Sequence, residues 1–96
     1  MTEPVRWGVL GCASIAVHKV LPAMQQAANC DIAAIASRDR ERAGDVAALL
    51  GIARHYGSYQ ELLDDPDIEA VYIPLPNNMH AEWTVRAAAA GKHVLC

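Results

Sequence analysis

The chain has 96 residues, 53% of them hydrophobic and 20% charged, with a formal net charge of −3. This is the length of one small domain and the composition of a folded globular chain. It leaves no room for a cofactor domain and a separate substrate domain together, and its mild acidity excludes a basic footprint for nucleic acid or anionic lipid.

Strand-like and helix-like signals then alternate. Val5–Leu10 is a short apolar run ending at a glycine, the pattern of a buried strand. Ser14–Ala28 reads as a helix with Ile15, Val20, Leu21 and Met24 facing inward, and Pro22 kinks or divides it. Asp31–Ser37 is a second strand. Asp39 caps a helix over Arg40–Leu50, and Gly51 stands just past its end. Ile52–His55 is a weak third strand. Ser58 and Glu61 form the S-x-x-E capping pattern before a short helix, Tyr59–Leu63. Ile68–Ile73 is a fourth strand, stopped by Pro74 and Pro76. A helix over Met79–Ala90 is capped by Asn77 or Asn78 and closed by Gly91. His93–Cys96 begins a fifth strand. The alternation predicts an α/β fold with a parallel sheet and helices on its faces, and right-handed crossovers leave few topologies. Taken with the dinucleotide turn and the resemblance given below, the expected one is a Rossmann-type, doubly wound sheet with strand order 3-2-1-4-5. The 18 alanines and absent phenylalanine predict a thin core.

The first strand runs into Gly11-Cys12-Ala13-Ser14-Ile15-Ala16, a G-x-A-x-x-A variant of the dinucleotide-binding turn. The first small residue permits the tight turn, the second lets backbone approach a pyrophosphate, and the third lets helix and strand pack closely. The helix start offers amides and a positive dipole end to phosphate. Ala13 adds one methyl at the closest approach. Small residues at such a turn are common in any doubly wound protein, but this one lies after strand one and before helix one, as the motif requires.

Strand two ends Ala36-Ser37-Arg38-Asp39, with no acid at the tip to take a ribose hydroxyl. A hydroxyl followed by a guanidinium suits a 2′-phosphate, with Arg42 one turn into the helix in reach of the same group. That favours NADP over NAD. The plainer reading makes Arg38 and Arg42 solvated charges and Asp39 only a cap. At the end of strand four, Pro74 and Pro76 fix a loop that delivers Asn77 and His80 to the strand ends, where open α/β sheets bind ligands.

The chain resembles the N-terminal domain of the glucose–fructose oxidoreductase, inositol dehydrogenase and MocA family. The resemblance rests on RWGVLGCASIA at Arg6–Ala16, ASRDRERA at Ala36–Ala43, YGSYQELLDDPDIEAVYIPLPNNMHAE at Tyr56–Glu82 and AGKHVLC at Ala90–Cys96. The IPLPN segment is most similar to the sugar and dihydrodiol dehydrogenase branch. The resemblance implies an oxidoreductase that uses NADP, or NAD, on a sugar, cyclitol or related polyol. By position it implies that Cys12, Ala13, Ser14 and Ile15 line the pyrophosphate beside Gly11. Ser37, Arg38 and Arg42 hold the 2′-phosphate, and Leu75, Pro76, Asn77 and His80 line the nicotinamide ribose. It also implies that Cys96 leads into Glu-Lys-Pro, whose lysine assists proton transfer, and into a C-terminal α/β domain. The chain is then a truncated N-terminal domain over residues 1–96, inactive alone, from a cytoplasmic enzyme that forms a homo-oligomer at full length. An alternative of another class is a binding-only NAD(P) sensor on the same fold.

Other features point to no further chemistry. Cys12, Cys30 and Cys96 form no CxxC and no framework, and His18, His55, His80 and His93 do not join them at metal-ligand spacing, so no metal site is expected. No apolar run approaches the roughly 18 residues of a membrane span. Glu3 and Pro4 break any signal-peptide pattern. Cys12 reads as a turn residue rather than a nucleophile, because no base accompanies it. Tyr72 and Trp83 read as core or interface, and Lys92 precedes strand five, at the end away from the turn.

Overall fold

The structure, a computed structural model, describes residues 4–13 and 16–95. Strands β1 (Val5–Leu10), β2 (Cys30–Ala36), β3 (Arg54–Tyr56), β4 (Ala70–Tyr72) and β5 (His93–Leu95) form one sheet in the order β3-β2-β1-β4-β5. Every neighbouring pair is parallel. This is the strand order expected from the sequence. The chain winds outward from β1 through β2 and β3, then returns to the far side of β1 for β4 and β5. Winding reverses between β1 and β4, which opens a crevice at their carboxyl ends.

Helices cover both faces. Helices α1 (Leu21–Gln26) and α2 (Arg40–Leu50) lie on one, α3 (Tyr59–Leu63) and α4 (Asn77–Ala89) on the other. Successive strand residues point to opposite faces, so Val9 joins Ile32, Ile35, Leu21 and Val46 in one layer. Leu10 joins Val71, Tyr59, Leu62 and Ala87 in the other. Ala34 and Ala36 are fully buried, and their small side chains let helix and sheet approach. The approach is closest at Gly8, where a Cβ would stand 2.5 Å from Leu62 Cδ2 and 3.1 Å from Ile68 Cγ2.

Local signals set the helix ends. Asp39 Oδ1 accepts from the Glu41 amide at 3.0 Å and the Arg42 amide at 3.4 Å, capping α2. Gly51 closes the helix at φ 70°. Ser58 Oγ accepts from the Glu61 amide at 3.2 Å and starts α3.

Elsewhere the boundaries move. The helix read over Ser14–Ala28 is divided into a π turn at Ala16–Val20 and the short α1, with Pro22 in the first turn of α1. Proline has no amide for the preceding turn and its ring crowds the carbonyl four residues back, so the chain widens before it. Strand β3 is Arg54–Tyr56 rather than Ile52–His55, because the Ile52 amide donates to the Ala47 carbonyl at 2.8 Å and closes α2 instead. Strand β4 is the shorter Ala70–Tyr72, with Ile68 and Ile73 buried beyond its two ends. The cap of α4 is Pro76, not Asn77 or Asn78. The Pro76 carbonyl accepts from the Met79 and His80 amides at 2.9 and 3.0 Å, and the two asparagines fall inside the first turn. Cys96 lies outside the described residues.

A polar clasp holds the end of the sheet where the strands begin. Asp65 is 8% exposed. Its Oδ2 accepts from Arg54 Nη1 at 2.8 Å and the Tyr56 hydroxyl at 2.7 Å, and its Oδ1 from the Asp67 amide at 2.9 Å. Burial pushes its carboxyl upward, but these donors outweigh that and hold it below the ordinary carboxylate range. Lys92 Nζ donates to the Asp65 and Ile68 carbonyls, both at 2.7 Å, which fixes that lysine at the end away from the glycine turn, as expected.

Candidate functional site

The carboxyl ends of β1, β2 and β4 share one rim. Gly11 follows β1 at φ 115°, a conformation that L side chains rarely adopt. Its amide donates to the Ala36 carbonyl at 2.8 Å and carries the β1–β2 pairing into the turn. Leu75, from the loop after β4, lies over it: a Cβ on Gly11 would stand 3.0 Å from Leu75 Cδ2. The loops after β1 and β4 therefore meet where the winding reverses.

Cys12 is half-buried. Burial pushes its thiol up, partly countered by the Arg42 guanidinium and the Ser37 hydroxyl. A thiol pushed up in this way is less reactive than a free cysteine. Ala13 is exposed, and its carbonyl accepts from the Val17 amide at 3.0 Å, opening the π turn. Ser14 and Ile15 lie outside the described residues.

At the tip of β2 the Ser37 amide donates to the Tyr56 carbonyl at 3.2 Å. Ser37 Oγ accepts from the Asp39 amide at 3.1 Å. Because Asp39 Oδ1 caps α2, the acid that follows this tip is turned into the helix. Arg38 and Arg42 are exposed, and Arg42 Nη2 donates to the Cys12 carbonyl at 3.2 Å. The amino end of α2 is met by the Asp39 carboxylate, so the two guanidiniums are the groups at this corner that suit a phosphate.

After β4, Pro74 and Pro76 hold the loop and α4 starts beneath it. Asn77 is exposed, and with capping left to Pro76 its carboxamide is not committed to the helix. His80 is half-buried, with Nδ1 3.5 Å from Thr84 Oγ1. The described residues picked from the sequence thus fall on three adjacent loops of one rim.

The sequence did not single out Tyr59. It begins α3, is 7% exposed, and meets Trp83 edge-to-face at 5.2 Å and 80°. Burial raises its phenol, and the neighbouring Arg38 guanidinium draws it back. Tyr59 therefore packs α3 against α4 beneath the sheet.

One pocket opens away from this rim, around Lys92 and His93 at the strand starts, and another lies beside the first turns of α2, around Arg40 and His55. Neither includes a residue of the glycine turn. Among the described residues no cluster of three histidine, cysteine or acidic side chains could hold a metal ion. No helix among them is long and apolar enough to cross a membrane.

A profile for an oxidoreductase family with an NAD-binding Rossmann fold, the glucose–fructose oxidoreductase, inositol dehydrogenase and MocA group, matches residues 5–96. The chain belongs to this family. Similar proteins include a D-xylose 1-dehydrogenase (NADP(+)) of Haloferax volcanii, 56% identical over 94% of this chain and 27% of its own length. A dTDP-3,4-didehydro-2,6-dideoxy-alpha-D-glucose 3-reductase of Saccharopolyspora spinosa is 53% identical over 99% of this chain and 28% of its own. The crystal structure of a 3-ketoreductase from Actinomadura kijaniata, in complex with TDP-benzene and NADP, superposes with a TM-score of 0.93 at 45% identity. The match covers 97% of this chain and 29% of that one. The chain thus spans a little over a quarter of the length of these family members.

Proposed function

We propose that the chain is the cofactor-binding domain of an NADP-dependent oxidoreductase acting on a sugar or related polyol. In this reading the glycine turn, Gly11 to Ile15, takes the pyrophosphate, and Ser37, Arg38 and Arg42 take the adenosine 2′-phosphate. Leu75, Pro76, Asn77 and His80 line the nicotinamide ribose. The observation that carries the reading is at the tip of β2: Asp39 commits its carboxylate to the first turn of α2, while Arg38 and Arg42 stand exposed at the same corner. An NAD site needs an acid at that tip for the ribose hydroxyls. A site for a phosphate needs donors and positive charge, which this corner has. The turn fits a dinucleotide as well, since a Cβ on Gly11 would fill the space between the two loops.

When bound, the nicotinamide supplies or accepts the hydride. The domain's own residues hold the cofactor and set its orientation against the strand ends. The substrate class follows the family members described above, whose names specify D-xylose and a dTDP-linked sugar. All of them bear enzyme names, which favours an enzyme over a binding-only sensor. The reading puts the proton-handling lysine two positions past Cys96, within a longer cytoplasmic, homo-oligomeric protein.

The test compares NADP and NAD affinities for the wild type and Arg38→Ala. NADP binds the wild type more tightly, and Arg38→Ala weakens NADP about tenfold, the effect of roughly 1.4 kcal/mol, while NAD stays within about twofold. Tighter NAD binding by the wild type overturns the cofactor assignment. A screen of aldoses and polyols with the full reading frame tests the substrate class, and no turnover of any of them overturns it.

A further inference from the structure

We propose that Arg42 is a positioning residue for the pyrophosphate turn, acting on cofactors with and without a 2′-phosphate. The inference rests on the cofactor site proposed above and adds to Arg42 a role that its charge alone does not give.

Arg42 is the third residue of α2, and its place is fixed by the Asp39 cap, which its own amide joins. From there its Nη2 donates to the Cys12 carbonyl at 3.2 Å, across 30 residues of sequence. That carbonyl belongs to the peptide unit between Cys12 and Ala13, and no peptide bond among the described residues is cis. In a planar trans peptide the carbonyl and the amide point in opposite directions. Holding the Cys12 carbonyl toward α2 therefore turns the Ala13 amide away from α2, to the outer side of the turn. On its other side Ala13 is tied by its carbonyl to the Val17 amide at 3.0 Å. The middle residue of the G-x-A-x-x-A turn is thus held at both ends, and one of the two ties is the Arg42 side chain. A guanidinium has five donors in a fixed fork, so Arg42 can keep this bond while other N–H groups meet a phosphate. The arrangement couples the adenosine corner to the pyrophosphate turn through one side chain.

A residue that merely binds the 2′-phosphate leaves NAD untouched, so NAD is the discriminating probe. The experiment measures dissociation constants of NAD and NADP on the full chain carrying Arg42→Ala and Arg42→Lys, with Arg38→Ala for comparison. Arg42→Ala weakens NAD about five- to tenfold, the effect of one lost hydrogen bond, and NADP by at least as much. Arg42→Lys, with one ammonium in place of the fork, restores NAD to within about twofold and leaves NADP weak. Unchanged NAD binding by Arg42→Ala, with only NADP affected, overturns the proposal and leaves Arg42 a simple phosphate ligand. If the wild type prefers NAD, the NADP reading fails while the NAD arm still decides the role of Arg42. A ligand-free measurement stands apart from both: the Ala13 amide NMR resonance moves in Arg42→Ala and in Arg42→Lys returns toward its wild-type position. An unmoved resonance overturns the proposal whatever the cofactor.

Discussion

Substituting Gly11 with alanine separates backbone strain from crowding at the centre of the site. At φ 115° the residue sits outside the regions open to side-chain-bearing residues, and such conformations cost on the order of 1–3 kcal/mol. The new Cβ also meets Leu75 Cδ2 at 3.0 Å, which the end of a flexible side chain relieves by turning, at roughly 0.5 kcal/mol. Against this, alanine restricts the unfolded chain and offsets roughly 0.5 kcal/mol. The net expectation is a loss of about 2 kcal/mol. Gly51→Ala is the control: it stands at φ 70° with nothing within 4 Å of an added Cβ, so it carries only the left-handed penalty, about 1 kcal/mol. Urea unfolding of both variants reads the difference through the midpoint at constant slope. A double-mutant cycle with Leu75→Ala isolates the contact, with an expected coupling of about 0.5 kcal/mol. If Gly11→Ala is no less stable than Gly51→Ala, the argument from φ and from the Leu75 contact is wrong.

Two other outcomes test the core and the clasp. Gly8→Ala places a Cβ 2.5 Å from Leu62 Cδ2 and 3.1 Å from Ile68 Cγ2, both buried side chains, so overpacking of about 1–2 kcal/mol follows; wild-type stability in urea would count against close packing of α3 on β1. Asp65, held below the ordinary carboxylate range, stabilises the fold fully above its unfolded value of about 3.9 and loses that contribution as pH falls through its lower folded value. Asp65→Asn is therefore less stable near pH 7 and shows a shallower loss of stability as the pH falls below about 4; parallel acid titrations of the two proteins would contradict this.

What the sequence revealed follows the range of each interaction. The span of β1, the Asp39 cap, the Gly51 stop and the Ser58 cap all came from neighbours within a few residues, and the structure agrees with each. Alternation and crossover handedness narrowed the sheet to a few topologies, and the dinucleotide turn with the family resemblance selected the order that the structure has. What failed depended on competition between local options. Asn77 and Asn78 are good capping residues, but the fixed φ of Pro76 starts the helix first. Ile52 has the apolarity of a strand residue, but its amide is used to close α2. Long-range features left no trace in the pattern: Tyr59 edge-on to Trp83, Arg42 on the Cys12 carbonyl, and Asp65 gathering donors from β3 and its own turn. At the site, the residue types at the strand tips were legible, whereas the bonds that orient them were not.

The bonds that tie the strand tips together have an evolutionary consequence. Gly11 to Ala36 and Ser37 to Tyr56 are joined through main-chain atoms alone. The Arg38 side chain takes no part in that bracing and is exposed, so selection can exchange it with little disturbance to the path of the loops. With Arg38 on the 2′-phosphate, as proposed above, cofactor preference becomes one of the more readily altered properties of such a domain, able to drift between close descendants while the scaffold beneath it stays the same.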